Sequence, residues 1–144
     1  MTNSNSQVTI NSLLSERASP YSFDPNRTIE TDDLRALFEA ARWSASAFNA
    51  QPWRYIVGVK ERTPDIWEQV LSVLVEGNQG WAKHVPVLAL GLVVKDFSHN
   101  GKPNQWAIHD LGAASASLTV EATHRGLSVH QMAGIEPEKA VEHF

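Results

Sequence analysis

Residues 44–53, SASAFNAQPW, hold the densest set of side chains in the sequence that could bind a ligand. Small residues let a flat molecule approach the backbone, and Ser46 and Asn49 supply a hydroxyl and an amide that can hydrogen-bond phosphate oxygens or a ring edge. Pro52 and Trp53 then lead into an apolar run. The same composition is typical of a plain loop between a helix and a strand, so the residues alone leave both interpretations open.

Motifs that would bring a nucleophile, a phosphate loop or a metal are missing from the sequence. It has no GxSxG, GxxxxGK[ST], GxGxxG or HExxH pattern. It also has no cysteine, which excludes thiolate catalysis, disulfides and zinc–cysteine or iron–sulfur sites. His109 and Asp110 are adjacent, but neighbouring residues on a helix point in different directions. We therefore expect no metal site and no catalytic side chain.

Composition and charge describe an ordinary globular domain. The 144 residues carry 12 Lys and Arg against 16 Asp and Glu, a net charge of −4, which argues against a general nucleic-acid surface. The longest apolar run, residues 85–94, is interrupted by Pro86 and is too short to span a bilayer. The N-terminus lacks the features of a signal peptide. We expect a cytoplasmic protein without membrane or nucleic-acid partners, with a flexible N-terminus at residues 1–10 and one domain at 11–144.

The periodicity of apolar residues predicts the first elements. Thr31 is expected to cap a helix that ends near Trp43 and buries one stripe, formed by Leu34, Leu37, Phe38 and Ala41. Residues 55–59 are β-branched and short, which predicts a strand. A second helix is expected to begin at Pro64 and to stop at Gly77.

The sequence of the second half of the chain predicts that strands and helices continue to alternate. Residues 87–94 are almost unbroken in apolar character, which is typical of a central strand covered on both faces. A long helix is expected over about 105–125, where Gly112 and Ala116 would let another backbone approach. Residues 127–130 read as a strand, and a last helix begins at Glu136. The pattern predicts a sheet sandwiched by helices, in the α+β or α/β class.

Residues 44–53 resemble the SAxNxQPW motif of the nitroreductase family of FMN-dependent oxidoreductases. Further stretches resemble elements of that family in the same order: residues 17–23, 39–43, 78–82 with the apolar run after Pro86, 110–127 and 130–135. The similarity covers roughly residues 14–144. Each motif is modest by itself, and it is their number, order and spacing that identify the chain as similar to this family, with an α+β fold.

The resemblance implies which residues bind the cofactor. Arg17 matches a family Arg that contacts the FMN phosphate, a dianion for which a guanidinium fork is well suited. Asn78 matches an amide that pairs with the pyrimidine edge of the ring, and residues 132–134 match a loop whose backbone N–H faces flavin N5. Ala45, Ser46 and Asn49 match positions that reach the cofactor from the partner subunit. The complete implied set is Arg17, Ala18, Ser19, Tyr21, Ala45, Ser46, Asn49, Asn78, Trp81, Met132, Ala133 and Gly134.

Structural alternatives remain for several of these residues. Ser19 also suits a turn before Pro20, and Asn78 also suits the end of a helix after Gly77. Residues 132–134 also suit a plain turn in which Gly134 supplies a positive φ.

Some positions depart from the family pattern. Tyr21 stands where a second basic residue is usual, and Trp81 stands where some members have Lys. Ala45 replaces a frequent Pro, and Ala133 a frequent acidic residue. Members are usually longer, so the expected last strand, the basic residues that complete the phosphate site and the tail that embraces the partner would follow Phe144.

The resemblance implies a homodimer that packs through the long small-residue helix and binds FMN tightly between its subunits. NAD(P)H would reduce the flavin, and a nitroaromatic, a quinone or a similar electron-poor acceptor would reoxidise it. One alternative is a non-catalytic scaffold or flavin-binding protein without turnover. Another is a related enzyme that acts on a specialised substrate.

Overall fold

The computed structural model describes residues 8–144 and shows an α+β arrangement of six α-helices and two strands in that range. The elements are α1 (Ser12–Ser15), α2 (Thr31–Arg42), β1 (Trp53–Val59), α3 (Pro64–Ser72), α4 (Glu76–Ala82), β2 (Val87–Val93), α5 (Ala107–His124) and α6 (Pro137–His143). Residues 1–7 lie outside this range, so the flexible N-terminus stays a prediction. Within it, Val8 and Ile10 are exposed.

The sheet has two antiparallel strands in the described residues. Its register runs from Trp53 opposite Val93 to Val59 opposite Val87. The prediction of a central strand at residues 87–94 is therefore wrong for this part of the chain, since β2 pairs only with β1 and exposes Ala89. Its residues 88–91 alternate between buried and exposed positions, and the two leucines of this stretch are the buried ones.

Residues 127–130, predicted as a strand, form no strand. They lie across a cavity from β2 and have no neighbouring strand to pair with. Backbone pairing occurs five residues later in the chain, where Ile135 forms an isolated β-bridge with Leu74.

Helices cover both faces of the sheet, as the sequence predicts. On one face α3 packs on the strands, and its Trp67 and Val70 join Leu88 and Leu90 in the main core. Gly58 makes this approach possible, because a Cβ there would lie 2.4 Å from the Cα of Trp67. On the other face α2 and α5 pack together in a smaller cluster, which contains Ala41, Trp53 and Ala114.

The helix boundaries confirm part of the prediction and correct part of it. Helix α2 buries Leu37 and Ala41 as expected, but its N-cap is Glu30, and Thr31 instead accepts a hydrogen bond from Arg62. Pro64 opens α3 as predicted.

The predicted stop of the second helix at Gly77 is wrong. Helix α3 ends at Ser72, and Gly77 lies inside α4. The reason is tertiary: the N–H of Val75 donates to Gly134 O at 3.1 Å and the N–H of Glu136 donates to Val73 O at 2.7 Å. These bonds hold residues 73–75 against residues 134–136 and break what the periodicity presents as one helix.

Candidate functional site

Helix α4 and the loop at residues 132–134 meet through Asn78 and Gly134. The side-chain amide Nδ2 of Asn78 donates to Gly134 O at 3.1 Å. A Cβ on Gly134 would lie 2.6 Å from that Nδ2 atom and 2.9 Å from Val75 Cγ2. The φ angle of Gly134 is not positive. The interpretation that Gly134 supplies a positive φ in a turn is therefore wrong. The residue is required for close packing, and Asn78 lies inside α4 rather than at a helix end.

Three aromatic rings join the N-terminal segment to α4 and to the loop that precedes Met132. The centroids of Trp81 and His130 lie 4.6 Å apart, those of Tyr21 and His130 4.7 Å, and those of Tyr21 and Trp81 5.4 Å. His130 Nδ1 is 2.9 Å from Pro20 O, and since a carbonyl only accepts, Nδ1 carries the proton. Tyr21 is 68% exposed, so this aromatic cluster presents a ring to the surface.

Arg17, Ala18 and Ser19 are exposed at the start of the same segment. The Arg17 guanidinium donates to Ser19 Oγ at 3.1 Å. Among residues 8–144 no carboxylate forms an ion pair with Arg17. A cation and a hydroxyl are therefore available together for an anionic group.

A second group, Ala45, Ser46 and Asn49, lies on the loop between α2 and β1. Ser46 Oγ accepts the N–H of Gln51 at 3.0 Å. Asn49 and Gln51 have positive φ, at 53° and 45°, a conformation that costs free energy for residues other than glycine.

Asp110 on α5 fixes this loop. The Asp110 side chain is buried, and its Oδ2 accepts the N–H of Ala47 at 3.0 Å. Ser44 Oγ bonds Ser117 Oγ at 2.7 Å on the same helix. The Ser44 and Asp110 contacts explain how a loop with strained backbone is held in one place.

By the segments that carry them, the twelve predicted residues divide into two groups in one protomer. Arg17, Ala18, Ser19, Tyr21, Asn78, Trp81, Met132, Ala133 and Gly134 belong to the first, and Ala45, Ser46 and Asn49 to the second. Within the first, the observed contacts join Arg17 to Ser19, Tyr21 to Trp81 and Asn78 to Gly134. No hydrogen bond or ring contact in the described range joins a predicted residue of one group to one of the other. We call the first group the Arg17–Gly134 surface and the second the Ala45–Asn49 loop.

Two residues contribute to the candidate site although they are not in the predicted set. Asp110 is considered in the sequence for metal binding and as the first residue of the stretch at 110–127, yet the structure shows that it anchors the Ala45–Asn49 loop. His130 belongs to the motif at 130–135 but not to the predicted set, and it bridges Tyr21 and Trp81. The available signal for each residue is its place in a family-like stretch, 130–135 for His130 and 110–127 for Asp110.

A partly enclosed cavity of about 610 Å³ lies beside these residues. Of the twelve predicted residues only Trp81 and Met132 line it. The cavity and the predicted cofactor residues are therefore different features, which meet at Trp81 and Met132.

Two kinds of feature are absent from the described part of the chain. Among residues 8–144, no cluster of three or more His, Asp or Glu side chains is placed to bind a metal ion. No helix in that range has the length and apolar character needed to cross a membrane.

Comparison with known proteins identifies the family. The Nitroreductase family model matches residues 14–144. The chain therefore belongs to the nitroreductase family.

Solved structures support the fold over nearly the whole chain. A crystal structure described as an oxidoreductase containing FMN is 35% identical, with a TM-score of 0.89 over 99% of this chain and 72% of that chain. A putative nitroreductase in complex with FMN from Desulfovibrio desulfuricans is 20% identical, with a TM-score of 0.73 over 92% of this chain and 74% of that chain.

A curated relative matches a shorter stretch. The major NAD(P)H-flavin oxidoreductase of Aliivibrio fischeri is 43% identical over 44 residues, which is 31% of this chain and 20% of the relative. The match thus spans a fifth of that protein's length.

Proposed function

We propose that this chain is an FMN-dependent oxidoreductase that passes a hydride from NAD(P)H to electron-poor acceptors such as nitroaromatics or quinones. The observation that carries the proposal is the convergence of three distant sequence elements on the Arg17–Gly134 surface. Tyr21, Trp81 and His130 meet in one aromatic cluster, and Asn78 bonds Gly134 next to it.

The residues present fit FMN in their chemistry. Arg17 has no carboxylate partner in residues 8–144 and has a hydroxyl beside it, which suits a phosphate dianion. Asn78 uses its Nδ2 atom on Gly134 O, so its Oδ1 atom is available to accept a hydrogen bond from a ring N–H. Trp81 Nε1 is buried without a partner in the described residues, so an unused donor lies in the aromatic cluster.

Bound FMN would supply the redox chemistry, which is a property of the cofactor. The chain's own residues bind and orient it. Arg17 and Ser19 hold the phosphate, and Asn78 fixes the polar edge of the ring. The backbone N–H groups of Ala133 and Gly134 have no backbone partner in the described range, so they can donate to a ring nitrogen and stabilise negative charge there.

We propose that the functional unit is a homodimer with cofactor sites at its interface. Helix α5 exposes Gly112 and Ala116, where another backbone can approach closely. Large apolar side chains are exposed on the same helix and on the loop it anchors, with Ile108 76% and Phe48 81% exposed. A second copy on this face would bring its Ala45–Asn49 loop to the Arg17–Gly134 surface of the first, which accounts for two groups that do not meet in one protomer.

The test is an FMN titration of the purified chain, followed by flavin absorbance and by thermal melting. We expect one FMN per protomer and a rise in stability of about 2.7 kcal/mol when free FMN reaches a hundred times its Kd. Anaerobic NADH or NADPH should then bleach the flavin absorbance, and a quinone should restore it. Binding without bleaching would contradict the oxidoreductase, and no binding would contradict the cofactor site.

A further inference from the structure

Residues 17–23, which carry the candidate phosphate-binding side chains, form no backbone–backbone hydrogen bonds within the described part of the chain. They cannot continue α1, because Pro20 disfavours a helical conformation at the residue before it, Ser19. Residues 14–19 are all exposed, so little packing restrains them. The position of Arg17 therefore depends on what fixes this segment at its ends.

One side chain from the second half of the chain holds the segment at Pro20. The His130 Nδ1–H group donates to Pro20 O at 2.9 Å. Among the described residues, this is the one hydrogen bond that joins any of residues 17–28 to another segment. Proline has no N–H group, so its carbonyl is the backbone group by which Pro20 can be held. We call this hydrogen bond the tether.

Ring contacts at the next residue fix the direction of the segment as well as its position. The Tyr21 ring centroid lies 4.7 Å from that of His130 and 5.4 Å from that of Trp81, both in edge geometry. The His130 and Trp81 rings lie 4.6 Å apart. Because Tyr21 follows Pro20 directly, the hydrogen bond and the ring contacts act on two adjacent residues and together orient the backbone between them.

The stretch that begins at His130 is fixed at its other end to the start of α4. Gly134 O accepts the N–H of Val75 and the side-chain Nδ2–H of Asn78, both at 3.1 Å. The backbone N–H groups of Ala133 and Gly134 are those assigned above to the flavin ring. One short stretch therefore contacts the segment assigned to the phosphate and also carries groups assigned to the ring.

We propose that His130 is a positioning residue for the candidate FMN site. Through the tether it sets where Arg17 and Ser19 lie relative to the loop at residues 132–134. This inference rests on the proposed function, and it requires no contact between His130 and the cofactor. A residue that only stabilises the fold would affect binding of the ring and of the phosphate alike, whereas a tether at Pro20 acts on the phosphate end.

Two substitutions separate the hydrogen bond from the ring contacts. His130→Phe keeps an aromatic ring beside Tyr21 and Trp81 and removes the N–H donor. His130→Asn removes the ring and keeps a donor, because the amide nitrogen of asparagine is as many bonds from Cα as Nδ1 of histidine. His124→Phe makes the same chemical change at an exposed histidine at the end of α5 and serves as the control.

The measurement is the Kd of each variant for FMN and for riboflavin, which lacks the phosphate. We expect His130→Phe to weaken FMN binding about tenfold or more and to leave riboflavin binding unchanged. His130→Asn should bind FMN at least threefold more tightly than His130→Phe, and His124→Phe should match the unmodified chain. The inference is overturned by an unchanged FMN affinity in His130→Phe, by equal losses for the two flavins, or by no recovery in His130→Asn.

The tether can also be measured without flavin, by NMR relaxation of the backbone amides at residues 17–19 and 21. We expect order parameters near the rigid value of about 0.85 in the unmodified chain and below about 0.6 in His130→Phe. The ¹⁵N shifts of the His130 ring in the unmodified chain should show a proton on Nδ1. Unchanged order parameters, or an Nδ1 without a proton, would overturn the inference.

These measurements distinguish failure of the inference from failure of the proposed function. If the unmodified chain binds no FMN, the proposed function is wrong, and the inference about its site falls with it even where the NMR data show the tether. If the chain binds FMN and His130→Phe does not fold, the protonation state of Nδ1 and the FMN affinity of His130→Asn decide. A bare Nδ1 then refutes the tether, and a protonated Nδ1 with FMN affinity retained in His130→Asn supports it.

Discussion

The buried carboxylate of Asp110 accepts a hydrogen bond from the backbone N–H of Ala47 at 3.0 Å, across 63 positions of sequence. This bond joins the start of α5 to the loop that carries Ser46 and Asn49. Three residues of this loop, Phe48, Asn49 and Gln51, have positive φ angles. Because this conformation costs free energy, the loop depends on contacts with other segments to keep it.

Removing this carboxylate should loosen the loop. We expect Asp110→Ala to lower the free energy of unfolding by about 1.5–3 kcal/mol, the usual contribution of a hydrogen bond to a charged group, and Asp110→Asn to lower it less because an amide oxygen can still accept. Urea denaturation measures the stability, and amide exchange at Ala47 measures the local effect. Unchanged exchange at Ala47 in Asp110→Ala would show that other contacts hold the loop.

Gly58 and Gly77 provide a matched pair of glycine substitutions. A Cβ at Gly58 would lie 2.4 Å from Trp67 Cα, whereas a Cβ at Gly77 meets nothing within 4 Å. We expect Gly58→Ala to destabilise the fold by about 1–3 kcal/mol, since the sheet and α3 must separate. Gly77→Ala should stabilise it by about 0.5–1 kcal/mol, because alanine is favoured inside a helix. Equal unfolding midpoints in urea for the two variants would contradict the packing of α3 on β1.

Arg17 is expected to contribute to FMN affinity through the phosphate alone. Arg17→Ala should weaken FMN binding by about 1.5–3 kcal/mol, or roughly 10- to 150-fold in Kd. Binding of riboflavin, which lacks the phosphate, should not change. Titrations with both flavins measure this difference. Arg35→Ala removes an exposed cation on α2 and serves as the control, and an equal loss for FMN and riboflavin in Arg17→Ala would contradict the phosphate contact.

The exposed small residues of α5 should set the oligomeric state. We expect Ala116→Leu to raise the dissociation constant of the dimer at least tenfold, about 1.4 kcal/mol, because the larger side chain separates the helices. Glu68→Leu adds an exposed leucine on α3 and should leave the dimer intact. Analytical ultracentrifugation distinguishes the cases, and a dimer of unchanged affinity in Ala116→Leu would place the interface elsewhere.

The partly buried phenol of Tyr55 predicts that the free energy of unfolding depends on pH in the alkaline range. Burial raises the pKa of its phenol above the ordinary 10.0, and the hydrogen bond with Ser115 Oγ partly opposes this. The folded state therefore keeps its proton where the unfolded state has lost it, so stability falls as pH rises above the unfolded pKa. Tyr55→Phe should reduce this fall. Urea midpoints across the alkaline range measure it, and identical slopes in the unmodified chain and in Tyr55→Phe would refute the assignment.

Local sequence signals predicted the elements whose causes are local. The stripe of Leu37 and Ala41 defines α2, and Pro64 opens α3, because periodicity and fixed φ act within a few residues. Motif order likewise identified the family that matches residues 14–144.

The errors arise where distant segments compete with local preference. The periodicity continues past Ser72 toward Gly77, but backbone bonds from residues 134–136 end the helix. Residues 127–130 have the composition of a strand, yet a strand forms only beside a partner, and a cavity lies there instead.

The sequence by itself determined the α+β class and the family, and it predicts the residues of the candidate cofactor site. Only the tertiary structure decided that Gly134 serves close packing against Asn78, that Asp110 anchors Ala47, and that His130 bonds Pro20. Each of these depends on contacts between residues far apart in the chain, and their geometry follows from how the helices pack on the sheet rather than from any local pattern.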